Sequence, residues 1–77
     1  MIIRVECGVG RRGRETPIRL FFGEREIEVA EVLDRWLGRD HRYFKIRGKG
    51  GGTYILRHDE RAREWELTLF ERKRPTL

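Results

Sequence analysis

The sequence predicts an all-β chain, a small and partly open barrel of about six mostly antiparallel strands. Three observations lead there. Apolar residues recur at every second position in several short segments, which is the period of a strand with one buried face. Glycine-rich or charged breaks separate those segments, as turns do. Between Arg42 and Phe70, two independent loop lengths bring the apolar residues of three strands onto one face.

The first segment, Ile2 to Cys7, places Ile3, Val5 and Cys7 on one face and Arg4 and Glu6 on the other. Gly8 to Thr16 follows as a flexible loop rich in Arg and Gly. It matches G-x-G-x-x-G at Gly8, Gly10 and Gly13. That fingerprint binds a dinucleotide only where a helix N-terminus follows, and here Pro17 and a strand-like run follow. Its cations Arg11, Arg12 and Arg14 remain candidates for contact with a phosphate backbone. Pro17 to Phe22 is expected as the second strand, with Ile18, Leu20 and Phe22 inward and Phe21 outward. A turn over Gly23 to Glu26 would pair Phe22 with Ile27 and Leu20 with Val29.

Residues 29–37 support two readings. A long strand, bent by a bulge near Glu31 that re-phases Val32, Asp34 and Trp36 together, continues the hairpin. A short helix also fits the spacing of Val29, Val32, Leu33, Trp36 and Leu37, with Gly38 as its C-cap, although no N-cap precedes it. The strand is the preferred reading.

Beyond the Gly38–His41 loop comes a three-stranded meander. A five-residue loop, Gly48 to Gly52, pairs Ile46 with Tyr54 and Phe44 with Leu56. A four-residue turn, Asp59 to Ala62, pairs Leu56 with Trp65 and Tyr54 with Leu67. Both registers place these residues on one core face. The opposite face then shows Tyr43, Lys45, Arg47, Thr53, Ile55, Arg57, Glu64, Glu66, Thr68 and Phe70. Residues 71–77 read as a frayed basic tail.

Composition bounds the rest. At 77 residues the chain has room for one domain, with a core small enough that oligomerisation would help it. Cys7 is the single cysteine. No internal disulfide can form, and a cytoplasmic setting is expected. No apolar run is long enough to span a membrane. Charged residues make up 40% of the chain, and Asn, Gln and Ser are absent. That suits a heat-adapted protein or a GC-rich genome. The formal charge of +5 arises from residues 39–77, because residues 1–38 balance; such an excess favours polyanionic partners.

An aromatic among cations on a sheet face is how single-stranded nucleic acid is often held. The expected surface is Tyr43, Lys45, Arg47, Lys49 and Arg57, with Arg11, Arg12 and Arg14 from the loop. Cross-strand ion pairing, with Arg57 opposite Glu64, is the competing explanation of this face. The outward apolar residues Phe21, Ile55 and Phe70 suggest instead a protein-interaction or self-assembling module, with a homodimer as its simplest form. Cys7, His41 and His58 lack the paired spacing of a zinc site, so no metal or other cofactor is expected. The acids form no recognisable catalytic pair and no Ser is present, so no enzymatic activity is expected.

The residues Phe22-Gly23, Val29, Val32-Leu33-Asp34, Trp36, Tyr43-Phe44, Ile46, Gly52, Tyr54, Leu56, Asp59, Trp65 and Leu67 form a pattern. It resembles a small uncharacterised bacterial domain family, some of whose members are associated with an accessory DNA-polymerase-like protein of mutagenic repair. The resemblance spans residues 17–69. It implies a shared fold and a nucleic-acid or repair-linked role, and it supplies no catalytic residues.

Overall fold

The computed structural model describes residues 1–10 and 13–71. Six antiparallel strands run in chain order around a barrel: β1 (Ile2–Val9), β2 (Glu15–Phe22), β3 (Arg25–Leu37), β4 (Arg42–Gly48), β5 (Thr53–Asp59) and β6 (Glu64–Glu71). The barrel is closed rather than partly open, because β1 also pairs with β6 through Ile2 with Glu66 and Ile3 with Trp65. The Leu67 N–H adds a bond to the Met1 carbonyl at 2.8 Å. Closure pairs the two strands that would otherwise be sheet edges. Residues 29–37 lie within β3, so the helical alternative is replaced by strand.

The core consists of Ile3, Leu20, Phe44, Ile46, Tyr54, Leu56 and Trp65, with Val5, Cys7, Phe22, Ile27, Val29, Val32 and Leu67 packed against it. The β4–β5 register is the expected one, Ile46 opposite Tyr54 and Phe44 opposite Leu56. Two other registers differ from expectation by two residues. The β2–β3 turn uses just Gly23 and Glu24, so Leu20 faces Ile27 and Phe22 faces Arg25. Gly23 adopts φ 60°, a conformation that suits a tight two-residue hairpin. The β5–β6 turn is Glu60–Arg63, so His58 rather than Leu56 faces Trp65, and Leu56 faces Leu67. Asp59 Oδ1 accepts from the Arg61 and Ala62 N–H groups and closes that turn. Side chains alternate with period two, so slips of two leave every apolar residue on its expected face.

Slips of one matter more, and four extra residues cause them. Ile18 is bulged out of the β1–β2 ladder. Pro17 therefore points inward and is fully buried, whereas Ile18 is exposed. In β3, extra residues at Ala30 and Leu33 interrupt the ladder to β4. The first re-phases Val32 onto the core; the second reverses the phase again. Arg35 then faces Phe44 on the inner side, and Trp36 faces Tyr43 on the outer side. In β6, Thr68 is the extra residue, and its hydroxyl donates to the Ile55 carbonyl at 3.1 Å. Beyond it Phe70 packs on Tyr54, ring centroids 4.8 Å apart, and not on the outer face. The Arg- and Gly-rich loop is also shorter than expected: Gly8 and Val9 pair with Thr16 and Glu15, leaving residues 10–14.

Gly48 is buried between Ile27 and Tyr54, where a Cβ would come within 2.8 Å of the Ile27 side chain. The close approach of β3 to the Tyr54 ring therefore requires glycine.

The register generates a direct test. Leu20→Ala should lower the stability measured by urea unfolding by about 2–5 kcal/mol, as expected for a buried leucine. Ile18→Ala should change it by about 1 kcal/mol or less, as at an exposed site. Equal losses would place Ile18 back inside.

Candidate nucleic-acid interface

Three rows of side chains cross the outer wall of β3, β4, β5 and β6. The register aligns Trp36, Tyr43, Arg57 and Glu66 in the first, Asp34, Lys45, Ile55 and Leu69 in the second, and Glu31, Arg47, Thr53 and Glu71 in the third. Most cations of this wall have a carboxylate. Arg47 meets Glu31 at 2.8 Å, and Lys49, at the turn, meets Glu28 at 2.6 Å. Arg57 pairs with Glu66, not with the expected Glu64. Lys45 differs: no carboxylate lies within ion-pair distance of it among the described residues. Its cross-strand neighbour Asp34 turns its carboxylate to the Arg35 N–H at 2.8 Å.

Beside Lys45, the rings of Trp36 and Tyr43 lie parallel, 5.3 Å apart with an interplanar angle of 1°. Trp36 is 39% exposed. Gly38 lies against the edge of the Tyr43 ring, where a Cβ would fall 2.6 Å from Tyr43 Cε2. Trp36 is the residue of this surface that sequence reasoning misses. Its position depends on two bulges, by which nine residues of β3 span seven of β4.

Charge is distributed unlike the expectation. Of the 18 basic residues, Arg11, Arg12, Arg72, Lys73 and Arg74 lie outside the described residues, and no acid does. The described barrel therefore carries 13 basic and 13 acidic residues. The whole excess belongs to the 10–14 loop and the C-terminal segment. On the opposite wall Arg19 faces three carboxylates, Glu6 at 3.2 Å, Glu26 at 2.9 Å and Glu28 at 3.8 Å. Its Nε contact with Glu26 is an ion contact off the hydrogen-bond line, so that N–H has no hydrogen-bond acceptor.

The expected apolar interface is dispersed. Arg4 covers the Phe21 ring at 4.4 Å, Ile55 is half-buried beside Leu69 on the outer wall, and Phe70 lies against Tyr54. No helix among the described residues is long and apolar enough to cross a membrane.

The end of the barrel at Gly13, Arg14, Leu37 and Arg42 is recessed. The β2–β3 ladder covers just Arg19–Phe22 with Arg25–Glu28. The first half of β2 and the last part of β3 therefore separate and leave a cleft of about 520 Å³. Arg14, Glu15, Arg35, Trp36, Arg42 and Phe44 line it. Cys7 sits behind this end. Burial, reinforced by the neighbouring Glu15 carboxylate, pushes its thiol up to about 12. His58 stacks on Trp65 at 4.2 Å, and His41 lies 3.7 Å from Asp59. Among the described residues, no three of His, Cys, Asp and Glu gather as a metal site would require.

Comparison of the chain with protein-family models, with curated proteins and with solved structures finds no match.

Two predictions follow from these environments. Cys7 should react with iodoacetamide at about pH 8.5 at least ~100-fold more slowly in the folded chain than in urea, because little thiolate is present. A raised thiol stabilises the fold below its ordinary pKa, and that contribution is lost as pH climbs toward the raised value. Carboxylates behave in the opposite sense. Hydrogen bonding and charge attraction from Lys49 hold Glu28 below its usual range, and the Ala62 and Arg61 N–H groups hold Asp59 down. Their stabilisation is present above the ordinary carboxylate range and disappears as pH falls through the depressed values. Urea unfolding between about pH 6 and pH 3 should show that decline, and Lys49→Ala should make it shallower.

Proposed function

We propose that the chain is a non-catalytic module that binds single-stranded nucleic acid, with the Trp36–Tyr43 stack and Lys45 as its contact surface. The observation that carries this reading is the placement of Lys45, without a carboxylate partner among the described residues, beside the stack of exposed Trp36 on half-buried Tyr43, on a wall where the neighbouring cations are tied to carboxylates. Base stacking on an exposed ring is tolerant of sequence, and phosphate attraction needs a free cation rather than a paired one. This surface keeps Tyr43 and Lys45 of the expected set and gives Arg47, Lys49 and Arg57 the role of holding strands together. Long-range attraction would come from Arg11 and Arg12 and from Arg72, Lys73 and Arg74, which hold the excess charge. The resemblance to a small uncharacterised bacterial family, some of whose members are associated with a DNA-polymerase-like repair protein, points to the same partner, and a cytoplasmic setting accords with it.

A second reading, a self-assembling module, has its own support. Val29–Leu37 lacks a ladder on its β2 side, and Leu33 and Leu37 are exposed along it. Sedimentation that gives a monomer at high concentration would remove it.

Fluorescence titration with a single-stranded oligonucleotide tests the main reading. Binding should weaken with salt, with a log–log slope of about −2 to −3, corresponding to three or four phosphate contacts. Trp36→Ala should weaken binding about tenfold, as loss of one stacked base does. Lys45→Ala should reduce the slope by about 0.7. Absence of binding at low salt, or affinity unchanged in both variants, would overturn the proposal.

A further inference from the structure

Arg35 is the residue that the core-side register treats most unusually. The bulge at Leu33 turns it to the inner face of β3, opposite Phe44, where its guanidinium lies 5.5 Å above the Phe44 ring. It is half-buried, yet no carboxylate pairs with it among the described residues. Its side-chain bond is to the Thr16 hydroxyl, at 3.4 Å. A partly desolvated cation is stable when an anion answers it, and here the anion position opens on the cleft at the barrel end. Arg14 lines the same cleft, also without a carboxylate partner among the described residues. Arg42, the third guanidinium, is tied to Glu60.

We infer that this cleft is a phosphate-monoester site that receives the phosphorylated end of a nucleic-acid strand, held by Arg14 and Arg35. Two guanidinium groups suit a terminal phosphate, which carries close to two negative charges near neutral pH, whereas a phosphate inside a strand carries one. Planar guanidinium groups also match phosphate oxygens in a fork that lysine cannot provide. Glu15 on the cleft wall repels a bare phosphate and accepts hydrogen bonds from the hydroxyl or amino groups of the attached nucleoside. Trp36 belongs both to the cleft lining and to the outer aromatic pair. A strand anchored by its end in the cleft would therefore run out over Tyr43 and Lys45. The inference rests on the strand-binding reading for its strand, while the phosphate chemistry of the cleft stands apart from it. A free nucleoside monophosphate offers the same chemistry.

The experiment compares 5′-phosphorylated, 3′-phosphorylated and hydroxyl-ended forms of one short oligonucleotide, with adenosine monophosphate and inorganic phosphate as separate arms. Tryptophan fluorescence and the thermal midpoint are read in each arm. One phosphorylated end should bind about tenfold more tightly than the hydroxyl form. That ratio should fall to about one in Arg35→Gln and recover only in part in Arg35→Lys, which restores the charge without the fork, while Lys45→Ala weakens all forms and preserves the ratio. Arg14→Ala, on the exposed side of the cleft, gives the same reading should Arg35→Gln fail to fold. A ratio near one in the native chain, or a ratio that survives in both Arg35→Gln and Arg14→Ala, overturns the strand-end site and leaves strand binding itself untouched. If no oligonucleotide binds, the strand-binding reading fails. Saturable binding of adenosine monophosphate that depends on Arg35 then assigns the cleft to a free nucleotide. No binding in that arm overturns the site altogether. Inorganic phosphate binding as tightly as adenosine monophosphate would overturn the part assigned to Glu15.

Discussion

Closing six strands into a barrel requires strong curvature, and in this chain single extra residues in β2, β3 and β6 supply local twist. Ile18, Ala30, Leu33 and Thr68 each interrupt a ladder. A bulge increases local twist and also reverses which side the following side chains face. Curvature and side-chain placement are therefore set by the same residues. Without the second bulge in β3, Arg35 would face solvent and Trp36 would enter the core. With it, a guanidinium lines the barrel end and an indole lies on Tyr43. The short seam of Ile2 and Ile3 with Glu66 and Trp65 joins the sheet's ends once that curvature exists.

The cost of this arrangement is seen where the strands part. β3 cannot follow both β2 and β4 along its thirteen residues, and it stays with β4. Four pairs hold it to β2, and the remaining space becomes the cleft. Bulges are common beside functional sites because they re-aim side chains, and both candidate surfaces here meet at residues just beyond one. The ion pairs of Arg19, Arg47, Lys49 and Arg57 then have a structural sense: they neutralise most of the walls and leave Lys45, Arg14 and Arg35 without a carboxylate among the described residues.

Much of the fold was legible in the sequence because period-two alternation survives errors of two residues. Leu20 and Leu56 lie in the core as the alternation predicts, although Leu20 meets Ile27 instead of Val29 and Leu56 meets Leu67 instead of Trp65, and the β4–β5 pairing follows from one loop length. Ile18, Trp36 and Phe70 were misplaced for a common reason. A bulge leaves almost no local mark, since it depends on the strand opposite. Closure was illegible for a similar reason, because its partners Ile2 and Glu66 are far apart in the chain. The candidate site was readable as a residue class, aromatic with cations, but not as a set. Which cations are free depends on which glutamates lie opposite them, and a shift of two exchanged Glu64 for Glu66 beside Arg57. The loop residues Arg11 and Arg12 lie outside the described residues.

The bulge at Leu33 sends Arg35 inward and Trp36 outward. Nuclear Overhauser contacts in the folded chain report on it directly. Cross-peaks between the Trp36 indole and the Tyr43 ring, together with contacts between the Arg35 side chain and the Phe44 ring, are the predicted result. Contacts from the Trp36 indole to Phe44 or Trp65, with Arg35 free of Phe44, would place Trp36 inside and Arg35 outside.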